Sequence, residues 1–371
     1  MGILVEKPNP GGSEKDLQLN FNKNMTTQVE MRAPFLPAEW YAQSGVQLTW
    51  PHADTDWAYM LQDVQECFVN IAREIAKREL LLIVTPEPEE VKKQIAGVVN
   101  MANVRFFTCE TNDTWARDHG AITMLDGTKP QLLDFTFNGW GQKFAAELDN
   151  QVTRKALKGK ALNGEYVDCL DFVLEGGSIE SDGMGTLLTT SECLLSPQRN
   201  PKLNKAEIEE YLKRTFHLQQ VLWLDHGYLA GDDTDSHVDT LARLCPDNTI
   251  AYVKCTDEAD EHYEALHAME EQLKTFRTLG GQPYRLLALP MADKVIVDGE
   301  RLPATYANFL IMDEVILYPT YNQPKNDADA AAVLQDAFPQ HQIIGIDCQA
   351  LIKQHGSLHC VTMQYPLGVL K

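Results

Sequence analysis

The stretch from Trp57 to Thr85, WAYMLQDVQECFVNIAREIAKRELLLIVT, indicates the fold class of this chain. Its first part, residues 57–77, has apolar side chains at helical spacing and predicts a helix. Its last part, residues 80–85, is a short apolar run of the kind found in buried strands, and another helix is predicted from Glu87. A helix, a strand and a second helix in direct succession predict a mixed α/β fold.

The same alternation continues to the C-terminal end of the sequence. Further strands are predicted at residues 104–108, 121–125, 132–137, 187–190, 221–224, 250–253, 285–289, 309–317, 343–346 and 360–364. Further helices are predicted at residues 205–216, 260–278 and 327–338. No linker rich in Pro, Gly or Ser divides these elements, so we expect one domain over residues 31–371 after a loose polar extension at residues 1–30. Strand order stays open, since a doubly wound sheet and a barrel fit the alternation equally well.

The composition narrows the class of protein and its partners. With 371 residues, of which 44% are hydrophobic, the chain can bury a large core. Its net charge of -21 argues against nucleic acid and anionic membranes as partners and favours cationic small molecules. Eight cysteines without a CxxC pair predict reduced thiols and a cytoplasmic protein, and no apolar run reaches the length of a membrane span. The absence of phosphate-binding glycine motifs argues against a nucleotide cofactor.

Cys360, in the segment from His355 to Gln364 (HGSLHCVTMQ), is the leading candidate for a catalytic residue. It stands at the start of a predicted apolar strand, behind a flexible Gly-Ser pair, where a thiol could reach the edge of a pocket. A thiol attacks efficiently only as the thiolate, so we expect positive charge or a base nearby to lower its pKa. Three polar clusters elsewhere in the chain could supply these partners.

The first cluster is residues 112–118 (NDTWARD), which precede the strand predicted at 121–125. Trp115 and Asp118 together suit the wall of a cation site, because an exposed aromatic ring and a carboxylate both attract positive charge. For Asp113 alone, a helix cap or a surface ion pair is the favoured interpretation.

The second cluster is residues 231–239 (GDDTDSHVD). In an extended segment His237 and Asp239 point to the same face, and a carboxylate beside an imidazole favours the protonated ring, which would stabilise a thiolate. The rival interpretation is a metal site, because the neighbouring aspartates offer many oxygens. We rank it lower, since no second histidine stands at ligand spacing and a metal would leave Cys360 without a task.

The third cluster, residues 174–178 (LEGGS), contains Glu175, which could be a ligand carboxylate or, as we slightly favour, an acceptor for backbone N–H groups. Asn308, which enters a predicted strand, is by itself typical of a turn cap. A thiol, a histidine and two separated carboxylates suit a guanidinium, because two carboxylates can hold its forked N–H groups while a thiolate attacks its carbon. The sequence therefore predicts hydrolytic removal of ammonia from a guanidine.

The motifs resemble, in order, those of the agmatine deiminases, which belong to a guanidine-modifying group that also holds bacterial peptidylarginine deiminases. The resemblance runs from about Arg32 to Pro366 and rests on LPAEW at 36–40, WP at 50–51, WARD at 115–118, FNGWG at 137–141, EGG at 175–177, DGMGTLLTT at 182–190, RNP at 199–201, DSHVD at 235–239, YANF at 306–309 and HC at 359–360. It implies the pentein fold, a five-bladed α/β propeller of pseudo-repeated ββαβ units with the site on its central axis.

The resemblance also implies a role for each site residue. Cys360 would be the nucleophile, His237 the general acid/base, and Asp118 and Asp239 the two guanidinium clamps. The implied substrate-binding residues are Trp115, Glu175, Asn308, Asp113 and Trp140. The implied reaction converts agmatine to N-carbamoylputrescine and ammonia, a step of putrescine biosynthesis, without a metal or an organic cofactor. The expected partner is thus a small cationic guanidine, and a homo-oligomer is compatible with the sequence.

Departures from the family pattern bear on the substrate more than on the reacting groups. They are Ser236 in place of a usual Gly, Ala121 in place of Pro, Met363 in place of Gln, and QHGS at 354–357 in place of a glycine run.

Agmatine is the leading substrate, ahead of free arginine and peptidylarginine. Lys143 is the only cation in the candidate wall at residues 137–143, whereas Asp54 and Asp56 could receive an amine tail. Two alternatives of other classes stay open: a metal-dependent hydrolase built on His237, and a polyamine-binding protein without catalytic activity.

Overall fold

The computed structural model describes residues 34–371. The extension predicted at residues 1–30 lies outside the described residues. The strands, in chain order, are β1 (Gln43–Thr49), β2 (Leu80–Thr85), β3 (Val104–Thr108), β4 (Ile122–Asp126), β5 (Lys129–Thr136), β6 (Glu165–Val173), β7 (Ile179–Ser181), β8 (Thr186–Thr190), β9 (Gln220–Leu224), β10 (Ala242–Cys245), β11 (Thr249–Lys254), β12 (Arg285–Pro290), β13 (Ile296–Val297), β14 (Glu300–Arg301), β15 (Leu310–Ile311), β16 (Val315–Thr320), β17 (Gln342–Asp347) and β18 (Thr362–Pro366).

Helices alternate with these strands. They are α1 (Leu61–Ala76), α2 (Pro88–Ile95), α3 (Ala116–His119), α4 (Gly139–Gln142), α5 (Val152–Lys158), α6 (Ser191–Leu194), α7 (Lys205–Phe216), α8 (Tyr263–Thr275) and α9 (Pro324–Ala337). Among residues 34–371, none of these helices is both long and apolar enough to cross a membrane.

The opening stretch folds as its pattern predicts. On α1, buried apolar side chains recur every three or four residues and so share one face: Val64, Phe68, Ile71 and Ile75. They belong to the same core cluster as Leu81 and Ile83 of β2, whereas Leu82 and Val84 of that strand lie in a second cluster. Because β2 is buried on both faces, its run is apolar throughout rather than alternating. Each fully buried aliphatic side chain contributes roughly 2 kcal/mol.

Five of the sheets repeat one pairing pattern. Their strand orders are β18-β1-β2-β3, β4-β5-β6, β7-β8-β9, β10-β11-β12 and β15-β16-β17, and β13 and β14 form a separate short hairpin. In each of the five, one strand pairs antiparallel with one neighbour and parallel with the other: β1, β5, β8, β11 and β16. The pairing of β18 with β1 joins the C-terminal strand to the first described strand.

The connections that enter these five sheets carry the predicted site residues. Each such residue precedes the strand that forms the antiparallel pair: Asp118 precedes β4, Glu175 precedes β7, His237 and Asp239 precede β10, Asn308 precedes β15, and Cys360 precedes β18. Equivalent positions in five repeated sheets thus gather residues that lie far apart in the sequence.

Two predicted strands need correction. The segment predicted at 309–317 is divided into β15 and β16 by a turn, in which Met312 N donates to Val315 O. The strand predicted to begin at Cys360 begins at Thr362, and a tight turn, in which Thr362 N donates to His359 O, holds Cys360 ahead of it. Strands β1, β6, β7 and β10 were not predicted. In β1 the pattern is masked by Gly45 and by Gln47, a buried polar residue whose Oε1 accepts from Tyr365 Oη at 2.8 Å.

Candidate active site

Cys360 is held by the side chain of Asn308. The Oδ1 atom of Asn308 accepts from His359 N at 2.9 Å, from Cys360 N at 3.3 Å and from Cys360 Sγ at 3.4 Å. Asn308 Nδ2 also donates to the backbone oxygen of Asp239 at 3.4 Å. The structure therefore places Asn308 beneath the thiol, where it fixes the turn, rather than simply along a wall of the pocket.

Asp118 is a buried carboxylate with fixed donors on both oxygens. Trp140 Nε1 donates to Oδ2 at 2.9 Å, and Gly177 N donates to Oδ1 at 3.0 Å. His237 Nδ1 lies 3.7 Å from the same Oδ1 atom. Burial raises the pKa of Asp118, and the nearby His237 opposes this shift. Trp140, predicted to bind substrate, therefore orients a carboxylate of the site.

Asp239 has one engaged and one open oxygen. Its Oδ2 atom lies 2.7 Å from His359 Nδ1, whereas Oδ1 has no hydrogen-bond partner among the described residues, although the side chain is fully buried. Burial opposes ionisation, but the hydrogen bond and charge of His359 outweigh it and lower the pKa of Asp239. An ionised, buried oxygen without a donor marks a position for a cationic ligand.

His237 is buried beside Asp118 and not paired with Asp239 as predicted. Residues 238–240 form a 3-10 turn, so His237 and Asp239 are not on one face of an extended segment. Both ring nitrogens of His237 lack a hydrogen-bond partner among the described residues. Although burial disfavours the charged ring, Asp118, Cys193 and Glu175 raise the pKa of His237 to about 10. The imidazolium is thus the resting form at neutral pH.

The thiol of Cys360 is not activated in the empty site. Burial raises the pKa of Cys360 well above its ordinary value, and the negative charges of Asp239 and Asp118 raise it further. The expectation of a resting thiolate is therefore wrong for the unliganded site, because the two carboxylates outweigh the charge on His237. A bound cation between them would cancel this effect.

Asp113 and Trp115 form one wall of the cavity. Asp113 is buried, in contrast to the predicted surface position, and burial raises its pKa to about 6. It accepts from Trp57 Nε1 and from Trp115 Nε1, each at 2.9 Å, and so fixes the Trp115 ring. On the other side of that ring, a Cβ at Gly356 would lie 2.1 Å from a ring atom, so only glycine fits there. Trp115 is itself buried rather than exposed.

Glu175 is held by an arginine and does not line the cavity. Arg199 Nε donates to both carboxylate oxygens at 3.0 Å, and Arg199 Nη1 donates to Asp235 at 2.6 Å. One oxygen of Glu175 lies within 4.8 Å of a ring nitrogen of His237 and of Cys193 Sγ. Glu175 therefore acts on the site through the charge that it places near His237. It is an acceptor as favoured, but for a guanidinium and not for backbone N–H groups.

The cavity at Cys360 carries mainly negative charge. Its lining residues are Asp56, Asp113, Trp115, Asp118, Trp140, Phe144, Asp233, Thr234, Gln354, His355, Gly356 and Cys360. Four are aspartates, and neither a lysine nor an arginine is among them. Lys143, the only cation in the predicted wall, instead donates to Asp235 at 2.7 Å and to the backbone oxygen of Asp233 at 2.6 Å. Asp54 is not among the lining residues, whereas Asp56 is.

The donor set does not favour a metal at His237. The carboxylates predicted to join it are engaged elsewhere: Asp232 accepts from Thr234 and from Ser236 N, and Asp235 pairs with Arg199. The residues that do approach His237 are Cys193 and Glu175, and both Glu175 oxygens are already occupied by the Arg199 guanidinium. A cation bound there would have to displace that guanidinium.

Comparison with known proteins identifies the family. The sequence profile described as Porphyromonas-type peptidyl-arginine deiminase matches residues 35–366. The chain belongs to this family. It is also 30% identical to an agmatine deiminase of Ectopseudomonas mendocina, over 92% of this chain and 98% of the relative.

Solved structures related to this family share the fold. The C. jejuni agmatine deiminase with substrate bound is 40% identical, with a TM-score of 0.84 over 91% of this chain and 97% of that one. A Porphyromonas gingivalis protein described provisionally as an arginine deiminase is 50% identical, with a TM-score of 0.87 over 91% of this chain and 100% of that one. The predicted pentein fold is confirmed at this level.

Some residues that shape the site in this family member were not predicted from the sequence. Glu39 and His359 contact the clamp carboxylate or its support, Gly177 lies against both clamps, and Asp233 lines the cavity. The motifs LPAEW, HC and EGG contain the first three, but their positions in the sequence do not reveal their contacts. Ser236, which replaces a usual Gly, has a φ of 60° and retains the left-handed backbone suited to glycine.

Proposed function

We propose that the protein hydrolyses agmatine to N-carbamoylputrescine and ammonia. The observation that carries the proposal is the open Oδ1 atom of Asp239, which is buried, ionised and close to both Asp118 and Cys360. Two carboxylates at a thiol match the forked N–H groups of a guanidinium, whose carbon the thiol can then attack. The names of relatives, including a substrate-bound agmatine deiminase, support the same reaction.

In the proposed mechanism the guanidinium first activates the nucleophile. Its positive charge between Asp118 and Asp239 cancels the charges that raise the pKa of Cys360, so the thiol proton can leave for solvent. The sulfur then bonds to the guanidinium carbon. His237, protonated at rest, donates its proton to the departing amino group, which leaves as ammonia.

The second half of the reaction returns the thiolate. The substrate remains on sulfur as an alkyl-amidino thioether after ammonia leaves. Neutral His237 takes a proton from water while the water oxygen bonds to the carbon, and cleavage of the carbon–sulfur bond releases the ureido product. Acid and base assistance of this kind contributes about 10²–10⁴-fold, and the clamps contribute by positioning and charge.

The charge of the cavity favours agmatine over arginine. Asp56 and Asp233 line the cavity together with the site residues, and His355 Nδ1 lies 3.9 Å from Asp233 Oδ2. A terminal ammonium is attracted to these carboxylates, whereas the α-carboxylate of arginine is repelled. Lys143 offers no compensation because its ammonium is bound to Asp235.

We also propose that the five repeated sheets are the blades of one propeller around this site. Each of these sheets has the same antiparallel and parallel pairing, and each sends one connection with a site residue toward the same place. The cytoplasm is the proposed compartment, since all eight cysteines of the chain are free.

Arginine deimination is the second candidate. It is favoured by one observation, namely that the 50% identical P. gingivalis structure is described provisionally as an arginine deiminase. The same nucleophile and clamps would serve free arginine or a peptide's C-terminal arginine, so only the far end of the cavity separates these substrates.

A substrate panel tests the proposal. Ammonia release is measured with agmatine, arginine and a peptide ending in arginine, at equal concentrations and with the same enzyme preparation. We expect kcat/KM for agmatine to exceed that for the other two by at least tenfold, about 1.4 kcal/mol of discrimination. Equal or reversed rates would overturn the assignment, and binding of agmatine without ammonia release would favour the polyamine-binding alternative.

A variant locates the source of that preference. Asp233→Asn keeps the size of the side chain and removes its charge, and it should raise KM for agmatine while narrowing the ratio between agmatine and arginine. An unchanged ratio would show that Asp233 does not contact the far end of the substrate.

A further inference from the structure

His359 lies between two buried carboxylates, directly before the nucleophile in sequence. Its Nδ1 atom is 2.7 Å from Asp239 Oδ2, and its Nε2 atom is 2.8 Å from Glu39 Oε2. His359 is 1% exposed and Glu39 is 8% exposed, so water does not weaken either contact. A ring nitrogen this close to an ionised carboxylate must carry a hydrogen, so His359 donates at both ends.

Glu39 is itself fixed by other groups. Arg243 Nη2 donates to Oε2 at 2.7 Å, and Ile311 N donates to Oε1 at 2.7 Å. Arg243 is fully buried and also donates through Nε to Glu180 at 2.5 Å. Burial opposes ionisation of Glu39, but the charges of His359 and Arg243 outweigh it and lower its pKa. Glu39 is therefore a rigid, charged anchor for the imidazole.

Asp239 depends on this histidine for its orientation. The contact with His359 is the hydrogen bond of its carboxylate within residues 34–371, since Oδ1 has no partner. A carboxylate with one donor rotates about its terminal bond when that donor is lost. Rotation would turn the open oxygen away from the position that a guanidinium takes near Cys360.

We propose that Glu39 and His359 are positioning residues for the deimination, with Glu39 holding the ring of His359 and His359 holding the guanidinium clamp Asp239. This inference rests on the proposed function, because it assigns Asp239 to the substrate. It adds a line of buried contacts from Arg243 through Glu39 and His359 to the clamp. None of these residues except Asp239 touches substrate.

Two substitutions at His359 separate positioning from simple structural support. In His359→Asn the amide reaches the position of Nδ1 and can still donate to Asp239, but it cannot reach Glu39. In His359→Gln the amide reaches the position of Nε2 and can still donate to Glu39, but it leaves Asp239 without a donor. Both variants remove the charge of the ring, so each is the matched control of the other.

The two variants are compared by steady-state ammonia release from agmatine and by thermal unfolding. We expect His359→Gln to lower kcat/KM about 100-fold, the effect of a displacement near 1 Å at a reacting centre. We expect His359→Asn to retain at least ten times more kcat/KM than His359→Gln, at similar or lower thermal stability. Equal losses, or a smaller loss in His359→Gln, would overturn the proposal.

A second substitution covers the case in which both histidine variants fail to fold. Glu39→Gln keeps the size of the anchor and an oxygen for Arg243, and it should lower kcat/KM about tenfold with a smaller change in thermal stability. An unchanged kcat/KM would overturn the part of the proposal that concerns Glu39. If the wild-type enzyme releases no ammonia from agmatine, the proposed function fails instead, and the same variants are compared on whichever guanidine of the panel is turned over.

Discussion

Gly177→Ala is expected to disable the site while leaving the fold largely intact. A Cβ at position 177 would lie 2.6 Å from His237 Nδ1, 2.9 Å from Asp118 Oδ1 and 3.2 Å from Asp239 Oδ2. To restore an ordinary contact of 3.4 Å, the His237 ring must retreat by about 0.8 Å. A misplacement near 1 Å can cost about 100-fold in rate, which corresponds to roughly 2.7 kcal/mol of transition-state stabilisation.

The assay separates this loss from unfolding. Gly177 does not have the left-handed backbone that excludes other residues, so the cost to stability is the overpacking alone, about 1–3 kcal/mol. Gly280→Ala is the matched control, because the nearest atom to its Cβ is 3.7 Å away and its backbone also accepts alanine. We expect kcat/KM for agmatine to fall about 100-fold in Gly177→Ala and to stay unchanged in Gly280→Ala. A folded Gly177→Ala enzyme with kcat/KM within about threefold of wild type would refute this reasoning.

Three further predictions follow from the contacts of the site. Trp140→Phe removes the donor to Asp118 Oδ2 at 2.9 Å but keeps an aromatic ring, so kcat/KM should fall about tenfold, and full activity would show that this hydrogen bond is dispensable. The pKa of His237 is raised from 6.5 to about 10, so its contribution to stability is present below 6.5 and is lost as the pH rises through about 10. The difference in unfolding free energy between wild type and His237→Gln, from urea titrations, should therefore shrink over that range, and a constant difference would contradict the shift. Treatment with a chelator should leave ammonia release unchanged, whereas its loss would favour the metal-dependent alternative.

Much of the fold can be predicted from the sequence because local signals agree with the tertiary structure. The helix predicted at residues 205–216 has these bounds in the structure, where Asn204 caps its first turn and His217 ends it in a left-handed conformation. The strand predicted at residues 80–85 is equally well marked because it is apolar on both faces. In contrast, β10 contains the buried Arg243, whose charge hides the strand from a reading of hydrophobicity.

The candidate site is predictable in its residue types and less so in its contacts. Cys360, Asp118 and Asp239 are gathered as the family resemblance implies, but the partner of Asp239 is His359, which lies 120 positions away, rather than the adjacent His237. The difference arises from the 3-10 turn at residues 238–240, which no local pattern marked. The protonation of the thiol was also out of reach, since it depends on burial and on two carboxylates that only the tertiary structure brings near.

The central claim is that Cys360 bonds to the guanidinium carbon of agmatine, and acid-quenched mass spectrometry tests it most directly. Enzyme and agmatine are mixed, quenched within the first turnover, and the peptide containing Cys360 is weighed. We predict a mass increase equal to agmatine less ammonia on that peptide, absent from Cys360→Ser, which should release no ammonia. Continued ammonia release by Cys360→Ser, with the wild-type peptide unmodified, would contradict the account.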